Sequence, residues 1–528
     1  MGEPGRNIDN VTLTIDGQEV TVPEGTTILQ AAQGIGTEVP HYCYHPGLSS
    51  PAMCRLCLVE VEGAPKLAIA CATDVADGLI VNVFNDDALA ARRSVLEFLL
   101  INHPLDCPIC DQAGECELQD YVFQEGRSGT RYENYAKRFS PVEDFGGDVL
   151  YVPNRCILCT RCVRFMDDVA QEDVLNVSER GDRAFIGIHP DKDLGHEWAG
   201  NVVDLCPVGS LISKDFLHKA RVWELDKTPS VCTGCSQGCN INVDTRENVV
   251  VRLRPRVNLE VNRYFMCDTG RLHYRWMNRG DRIEAPLVSQ GGDLTATDWD
   301  HALAEAAQLV RGSGGRAIAL VSANASNEAL FLTQQLLADL EVTAAFRVPR
   351  VEGEVPLVGV PGLALREERA ANAAGAEALG YKEDFDGALR AANGASLVVV
   401  VDDDLNGVSE EQLSGAANLI YLGTLLPDVA RRASVVLPIA NIVEEDGTLT
   451  NRDRRVQRYL QAKAAPGMAR PAWWVLSELV RELGRGEVCA SAAEVFAALA
   501  DAEEPFHGMS YDNLGFAGRA MAAAGMSV

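Results

Sequence analysis

Apolar and polar residues alternate through residues 11–22 on either side of Asp16-Gly17, a dipeptide suited to a two-residue hairpin turn. A short helix over 28–33 should follow, capped by Thr26 or Thr27, so the chain opens as a small β-grasp domain. Leu89, Val95, Leu96, Leu99 and Leu100 recur at helical spacing, with Asp86 or Asp87 at the start and Pro104 after the end, which predicts a helix over 88–101. Residues 241–244 and 249–253 read as a strand pair turned at Arg246-Glu247-Asn248. Beyond residue 283 strand-like runs at 317–321, 397–401 and 418–422 alternate with helical stretches such as 327–340, the pattern of an α/β domain with a parallel sheet. The longest apolar runs, 397–401 and 435–442, are strand-sized or interrupted by Pro438 and predict no membrane span.

A chain of 528 residues can form several domains that bury their own cores, so it needs no metal merely to fold. Its 16 cysteines therefore call for a chemical explanation, and all except Cys489 lie between Cys43 and Cys267. The opening Met1-Gly-Glu-Pro-Gly-Arg lacks the basic and apolar segments of a secretory signal, so reduced thiols are expected rather than disulfides. The net charge of -28 argues against nucleic acid and favours a protein that docks on basic patches of other subunits.

The cysteines fall into four sets. Cys43, Cys54, Cys57 and Cys71 follow Cys-x10-Cys-x2-Cys-x13-Cys, related to the plant-type ferredoxin run, and read as a 2Fe-2S site; His41 and His45 read as loop residues. The second set is His103-x3-Cys107-x2-Cys110-x5-Cys116, where three thiolates leave one iron of a 4Fe-4S cubane open to His103, Asp106 or Asp111. Cys156, Cys159 and Cys162, with the distant Cys206-Pro207, keep one half of a bacterial two-cluster ferredoxin pattern and predict one 4Fe-4S cluster. Cys232, Cys235, Cys239 and Cys267, interleaved with the strand pair, could hold a third 4Fe-4S cluster or a zinc ribbon.

The words Cys43-Tyr-His-Pro-Gly, Cys54-Arg-Leu-Cys57-Leu-Val-Glu, His103-Pro-Leu-Asp-Cys107-Pro-Ile-Cys110, Arg155-Cys-Ile-Leu-Cys-Thr-Arg-Cys-Val-Arg-Phe165 and Cys206-Pro-Val-Gly run in this order within residues 9–282. Together they resemble the large iron-sulfur subunit family of respiratory NADH:quinone oxidoreductase (complex I). The resemblance implies that His103 is the fourth ligand of the second cluster. It further implies that the fourth set matches the extra cluster of bacterial members, off the main electron path. In that family electrons from a flavin on the NADH-oxidising subunit enter the 2Fe-2S site, then the Cys156 cluster, then the His103 cluster, and leave towards quinone through another subunit. The implied partners are the flavoprotein subunit and other peripheral-arm subunits. The implied location is the cytoplasmic side of the bacterial inner membrane, with membrane contact only through partners and no complete active site on this chain. An imidazole in place of a thiolate removes one negative charge and should raise the potential of its cluster.

The cysteine-poor half resembles the molybdopterin-oxidoreductase fold at Ala433-Ser-Val-Val-Leu-Pro438 and Glu444-Glu-Asp-Gly-Thr-Leu-Thr-Asn451. Two departures from active members remove the expectation of a pterin. Asp268-Thr269-Gly270 stands where they commonly place a lysine, and the half is much shorter than theirs. The expected domains are 9–86 (plant-type 2Fe-2S ferredoxin), 87–140 (4Fe-4S held by one histidine and three cysteines), 141–225 (4Fe-4S ferredoxin-like), 226–282 (4Fe-4S of molybdopterin-oxidoreductase type) and 283–528 (shortened α/β domain without cofactor). Asp402-Asp-Asp404 reads as a solvated strand end and Cys489 as a packed thiol in a helical stretch. Arg252, Arg254, Arg256, Arg263, Arg271, Arg275, Arg279 and Arg282 are expected to pair with local carboxylates, with subunit docking the alternative. Three rivals remain: a molybdenum or tungsten oxidoreductase such as the large subunit of an NAD-linked formate dehydrogenase, a bifurcating-hydrogenase-type subunit, which would need more cysteines than Cys489 after the fourth set, and a zinc-stabilised interaction protein.

Overall fold

The structure, a computed structural model, describes residues 10–133 and 140–522. The opening Met1–Arg6, the start of the first domain at residue 9, and part of the 87–140 and 283–528 domains lie outside the described residues. Two compact units result: the described residues through Glu224 together with Leu357–Pro361, and Leu225–Pro356 together with the described residues from Gly362 onward. The fourth cysteine set thus belongs with the cysteine-poor half.

In the first unit the predicted hairpin forms as Asn10–Ile15 against Gln18–Pro23, Ile15 facing Gln18. Asp16 and Gly17 turn it with positive φ values of 47° and 85°. The strands Ile80–Asn82, Leu58–Val61 and Ala68–Ile69 complete a five-stranded sheet, with Asn10–Ile15 parallel to Ile80–Asn82. Helix Ile28–Gly34 packs Ile28, Leu29, Ala31 and Ala32 onto this sheet, its start fixed by a capping box between Thr27 and Gln30. The next helix spans Asp86–Leu100 and is capped by Asn85, whose Oδ1 accepts from Ala88 N at 2.8 Å; Asp86 and Asp87 are first-turn residues that favour the positive helix end.

The second unit contains a three-stranded antiparallel sheet, Asp226–Val231, Asn240–Arg246 and Val249–Pro255, turned at Glu247 and Asn248. Its main sheet has seven strands in the order Asp293–Ala296, Leu287–Gln290, Val435–Pro438, Leu419–Gly423, Leu397–Val401, Arg316–Ser322 and Glu341–Arg347. The last five run parallel, and Leu287–Gln290 is antiparallel to both of its neighbours. Leu397, Val399 and Val401 face one apolar core, Val398 and Val400 the other. Two covered faces explain why that strand reads as an unbroken apolar run. The helix predicted over 327–340 stops at Leu336, because residues 337–340 must turn back into the strand Glu341–Arg347.

That helix opens with two buried polar residues which hold the strand Gly447–Thr450. Asn327 Nδ2 donates to the hydroxyls of Thr448 and Thr450 at 3.0 and 3.1 Å. Glu328 accepts from Thr448 N, Thr448 Oγ1 and Tyr511 OH at 3.0, 3.0 and 2.8 Å. Burial nevertheless pushes the Glu328 carboxyl up to about 7 from its ordinary 4.5, against the pull of these donors. A carboxyl raised in the fold ionises first in the unfolded chain, so its contribution is full below pH 4.5, falls between 4.5 and about 7, and stays low above. The fall should amount to about 3 kcal/mol. Glu328→Gln should remove that share of the pH dependence, so denaturant unfolding of the full chain should lose less stability between pH 5 and pH 8 in the variant than in the unaltered protein.

Candidate metal centres

Among the described residues, no group of three or more histidine, cysteine, aspartate and glutamate side chains has the spacing of a single-ion site. The fit of each set to a cluster therefore rests on its donors and their surroundings. All 16 cysteines are free of disulfides.

Cys43, Cys57 and Cys71 are buried and Cys54 is half-buried, the loop between them turned by left-handed Ala52 and Arg55. The thiols lie within hydrogen-bonding reach of one another. The bond to Cys43, with burial, pushes Cys54 up, whereas the bond from Cys71 holds Cys57 below the ordinary value. His41 Nδ1 bonds Val39 O and His45 Nδ1 accepts from Gly47 N, so both histidines serve the loop.

His103, two residues beyond the Ile101 cap of its helix, meets Cys107, Cys110 and Cys116 around a cavity of about 120 Å³ walled by Leu100, Leu118 and Val122. Asp106 and Asp111, the rival donors, are engaged elsewhere: Asp106 pairs with Arg155 at 3.0 Å, and Asp111 accepts from His218 N at 3.1 Å. Burial pushes the Cys116 thiol up to about 11. Gly209 supplies close approach from outside the set: a Cβ there would lie 2.1 Å from Cys110 Sγ.

Cys156, Cys159, Cys162 and Cys206 converge on a small cleft walled by Tyr151, Ile157, Ile186 and Leu211. Leu158 and Thr160, both left-handed at φ 54° and 58°, fold the Cys-x2-Cys-x2-Cys run so tightly that its thiols share one side. Leu158 N donates to Cys156 Sγ at 3.4 Å. Burial raises all four thiols, Cys206 to about 11 and Cys162 further.

In the second unit Cys232, Cys235, Cys239 and Cys267 are all buried. Gly234 N donates to Cys232 Sγ at 3.4 Å and Gly270 N to Cys267 Sγ at 3.3 Å. A Cβ on Gly270 would come within 3.1 Å of Cys232 Sγ and 3.3 Å of Cys267 Sγ. Amide donors at sulfur and glycines beside it are what a buried thiolate-held cluster requires.

Two sequence readings change. Asp402-Asp-Asp404 is not simply solvated, because burial pushes Asp402 up to about 7 and Asp403 is buried against Arg347 at 2.8 Å. These residues border a cavity of about 870 Å³ at the carboxyl ends of the parallel strands. Cys489 precedes the helix Ala492–Ala502 rather than lying inside it, its N–H donating to Ser477 Oγ at 3.0 Å. Of the arginines near the fourth set, Arg252, Arg271 and Arg279 pair with the nearby Asp244, Asp268 and Asp281 as expected, Arg282 pairs with Glu444 far along the chain, and Arg256 donates to the carbonyls of Ile241 and Phe516. Sequence reasoning missed Arg155, Arg161 and Arg164, whose spacing inside the third set's own run was the available signal, and it missed Gly209, three residues after Cys206.

Comparison with known proteins places each set within a stretch matched by a family model. Residues 9–85 match a 2Fe-2S iron-sulfur cluster binding domain and 92–131 the NADH-ubiquinone oxidoreductase-G iron-sulfur binding region. Residues 146–212 match the NADH-quinone oxidoreductase subunit 3 ferredoxin-like domain, 225–279 the molybdopterin oxidoreductase Fe4S4 domain and 366–482 molybdopterin oxidoreductase. Homologues named as the G subunit of NADH-quinone oxidoreductase include that of Rickettsia bellii, 40% identical over 62% of this chain and 48% of its own length. That of Mycobacterium tuberculosis is 39% identical over 61% of this chain and 40% of its own. The chain spans about half the length of the relatives it matches. A crystal structure of an NAD+-reducing [NiFe]-hydrogenase in the H2-reduced state aligns over 40% of this chain and 91% of that one, at 29% identity and TM-score 0.37.

Gly209→Ala should drive Cys110 from its place. Iron content and the paramagnetic signals of the reduced protein are expected to fall by one tetranuclear site and leave the rest.

Proposed function

We propose that this chain is the electron-transfer iron-sulfur subunit of an NADH:quinone oxidoreductase of the complex I type. The observation that carries this reading is that every candidate ligand falls inside one of the four matched iron-sulfur domains and lies beside the rest of its set, most of the cysteines buried and Cys107 exposed at the rim of its cavity. Cys43, Cys54, Cys57 and Cys71 would hold a 2Fe-2S cluster. Three 4Fe-4S clusters would be held by His103 with Cys107, Cys110 and Cys116, by Cys156, Cys159, Cys162 and Cys206, and by Cys232, Cys235, Cys239 and Cys267. When bound, these clusters supply one-electron relay from the flavin of an NADH-oxidising partner towards quinone. The chain's own residues then have three tasks. Leu118, Val122, Tyr151 and Ile186 exclude water from the donor sets, the amides of Leu158, Gly234 and Gly270 bond the sulfurs, and Gly209 and Gly270 leave room beside them.

The domains are proposed at 9–86, 87–140, 141–225, 226–282 and 283–528. Partners are the flavoprotein and other peripheral-arm subunits, at the cytoplasmic face of a bacterial inner membrane. Among the described residues no helix is long and apolar enough to cross a membrane.

The large cavity of the second unit does not suit the pterin that its fold implies. Asp402, Asp403, Asp404 and Glu445 border it, and three of its arginines are already paired: Arg279 with Asp281, Arg282 with Glu444, and Arg347 with Asp403 and Asp404. A phosphate-bearing pterin would meet a lining rich in carboxyl groups, with Arg369 as the arginine of that lining not held in an ion pair among the described residues. Asp268-Thr269-Gly270 likewise offers no lysine beside Cys267.

Purified protein should be brown, with iron and no stoichiometric molybdenum, tungsten or zinc by elemental analysis; either of the first two would favour the formate-dehydrogenase-type reading. His103→Ala should disturb one tetranuclear signal and spare the others, whereas an unchanged spectrum would remove His103 from the ligand set.

A further inference from the structure

The motif of the third set supplies three arginines: Arg155 before Cys156, Arg161 before Cys162, and Arg164 two residues after it. Each guanidinium leaves its own loop for another. Arg155 pairs with Asp106, next to Cys107, at 3.0 Å, and donates to Gly209 O at 3.4 Å, on the glycine that crowds Cys110. Arg161 forks onto both oxygens of Glu117, next to Cys116, at 2.9 and 3.1 Å, and reaches Leu205 O, next to Cys206, at 3.4 Å. Arg164 donates to the carbonyls of Cys43 and Ser49 in the first set and to Cys159 O at 3.3 Å in its own.

These contacts lie within one compact unit and run outward from the third set, towards the first through Arg164 and towards the second through Arg155 and Arg161. Each uses several N–H groups of one planar fork, which a lysine cannot reproduce. Arg155 and Arg161 are 7% and 4% exposed, so the charge of each, although paired with a carboxylate, is poorly screened by water. A fixed cation beside a cluster favours the form that carries the additional electron.

We propose that Arg155 and Arg164 are positioning residues that fix the third set's cluster between those of the first and second sets, and that Arg161 raises the potential of that middle cluster. The proposal rests on the relay reading above. The test is a potentiometric titration followed by electron paramagnetic resonance, with power saturation, on the full chain carrying its clusters. If the unaltered protein shows no binuclear and tetranuclear signals, the relay reading fails and this proposal with it.

With those signals present, Arg161→Gln should shift one tetranuclear midpoint downward and leave the binuclear one in place, and Arg161→Lys should restore most of the shift. An unchanged midpoint in Arg161→Gln, or loss of the signal in both variants, would overturn the role of charge; loss in the Gln variant alone supports it. Arg164→Gln and Arg164→Lys should both make the binuclear signal saturate more easily, as its fast-relaxing neighbour moves away. Arg155→Gln should do the same between two tetranuclear signals. Unchanged saturation in all three would overturn the positioning role.

Discussion

Sulfur donors gathered in an apolar interior repel one another as thiolates and lose their hydration, and most of this fold answers to that constraint. Burial, reinforced by the neighbouring sulfurs, pushes Cys162 and Cys239 well above the ordinary thiol range. The thiolate form is accessible there only with compensating positive charge from a metal, from peptide N–H groups aimed at sulfur, or from a guanidinium. The loops are shaped to bring such groups in. Left-handed Leu158 and Thr160 wrap the third set around its own amides, and Gly270 lets a helix start against two sulfurs at once.

The same constraint separates what could be read from the sequence from what could not. Local patterns were legible: the Asp16-Gly17 hairpin, the helix after Thr27, the strand at Leu397–Val401 and the grouping of the cysteines all follow from residues near one another in the chain. Helix ends were less so. The cap before Asp86 is Asn85, and the helix from Asn327 yields its last residues to a turn that a neighbouring strand requires. Long-range partners left the weakest trace. Nothing near Asp106 announces Arg155, 49 residues away, and nothing near Glu328 announces Thr448, 120 away. Spacing alone left His103, Asp106 and Asp111 open as the fourth donor of the second set, and it could not show that both carboxylates have partners elsewhere.

The second unit meets a different problem, the burial of carboxyl groups rather than thiols. Glu328 and Glu445 are both pushed upward by burial, and each receives hydrogen bonds from residues distant in sequence: Glu328 from Thr448 and Tyr511, Glu445 from Tyr459 and the amide of Ala472. These bonds tie the strands Gly447–Thr450 and Arg455–Tyr459 to the helices around the sheet. A domain pinned by buried polar residues keeps a specific arrangement whether or not anything occupies its cavity.

The short segment Leu357–Pro361 belongs to the first unit although the sequence on both sides of it belongs to the second. Gly359 N donates to Val169 O at 2.7 Å, and a Cβ on Gly359 would stand 2.6 Å from Asp168 O, so this glycine is fitted closely to the turn beyond the third cysteine set. The polypeptide therefore passes from one unit to the other three times, not once. No single cut yields both modules intact, and a gene fragment ending near residue 224 would encode the first unit without its Leu357–Pro361 segment. Recombination that exchanged the trailing module would carry that piece away with it, which ties the two modules to a shared evolutionary fate.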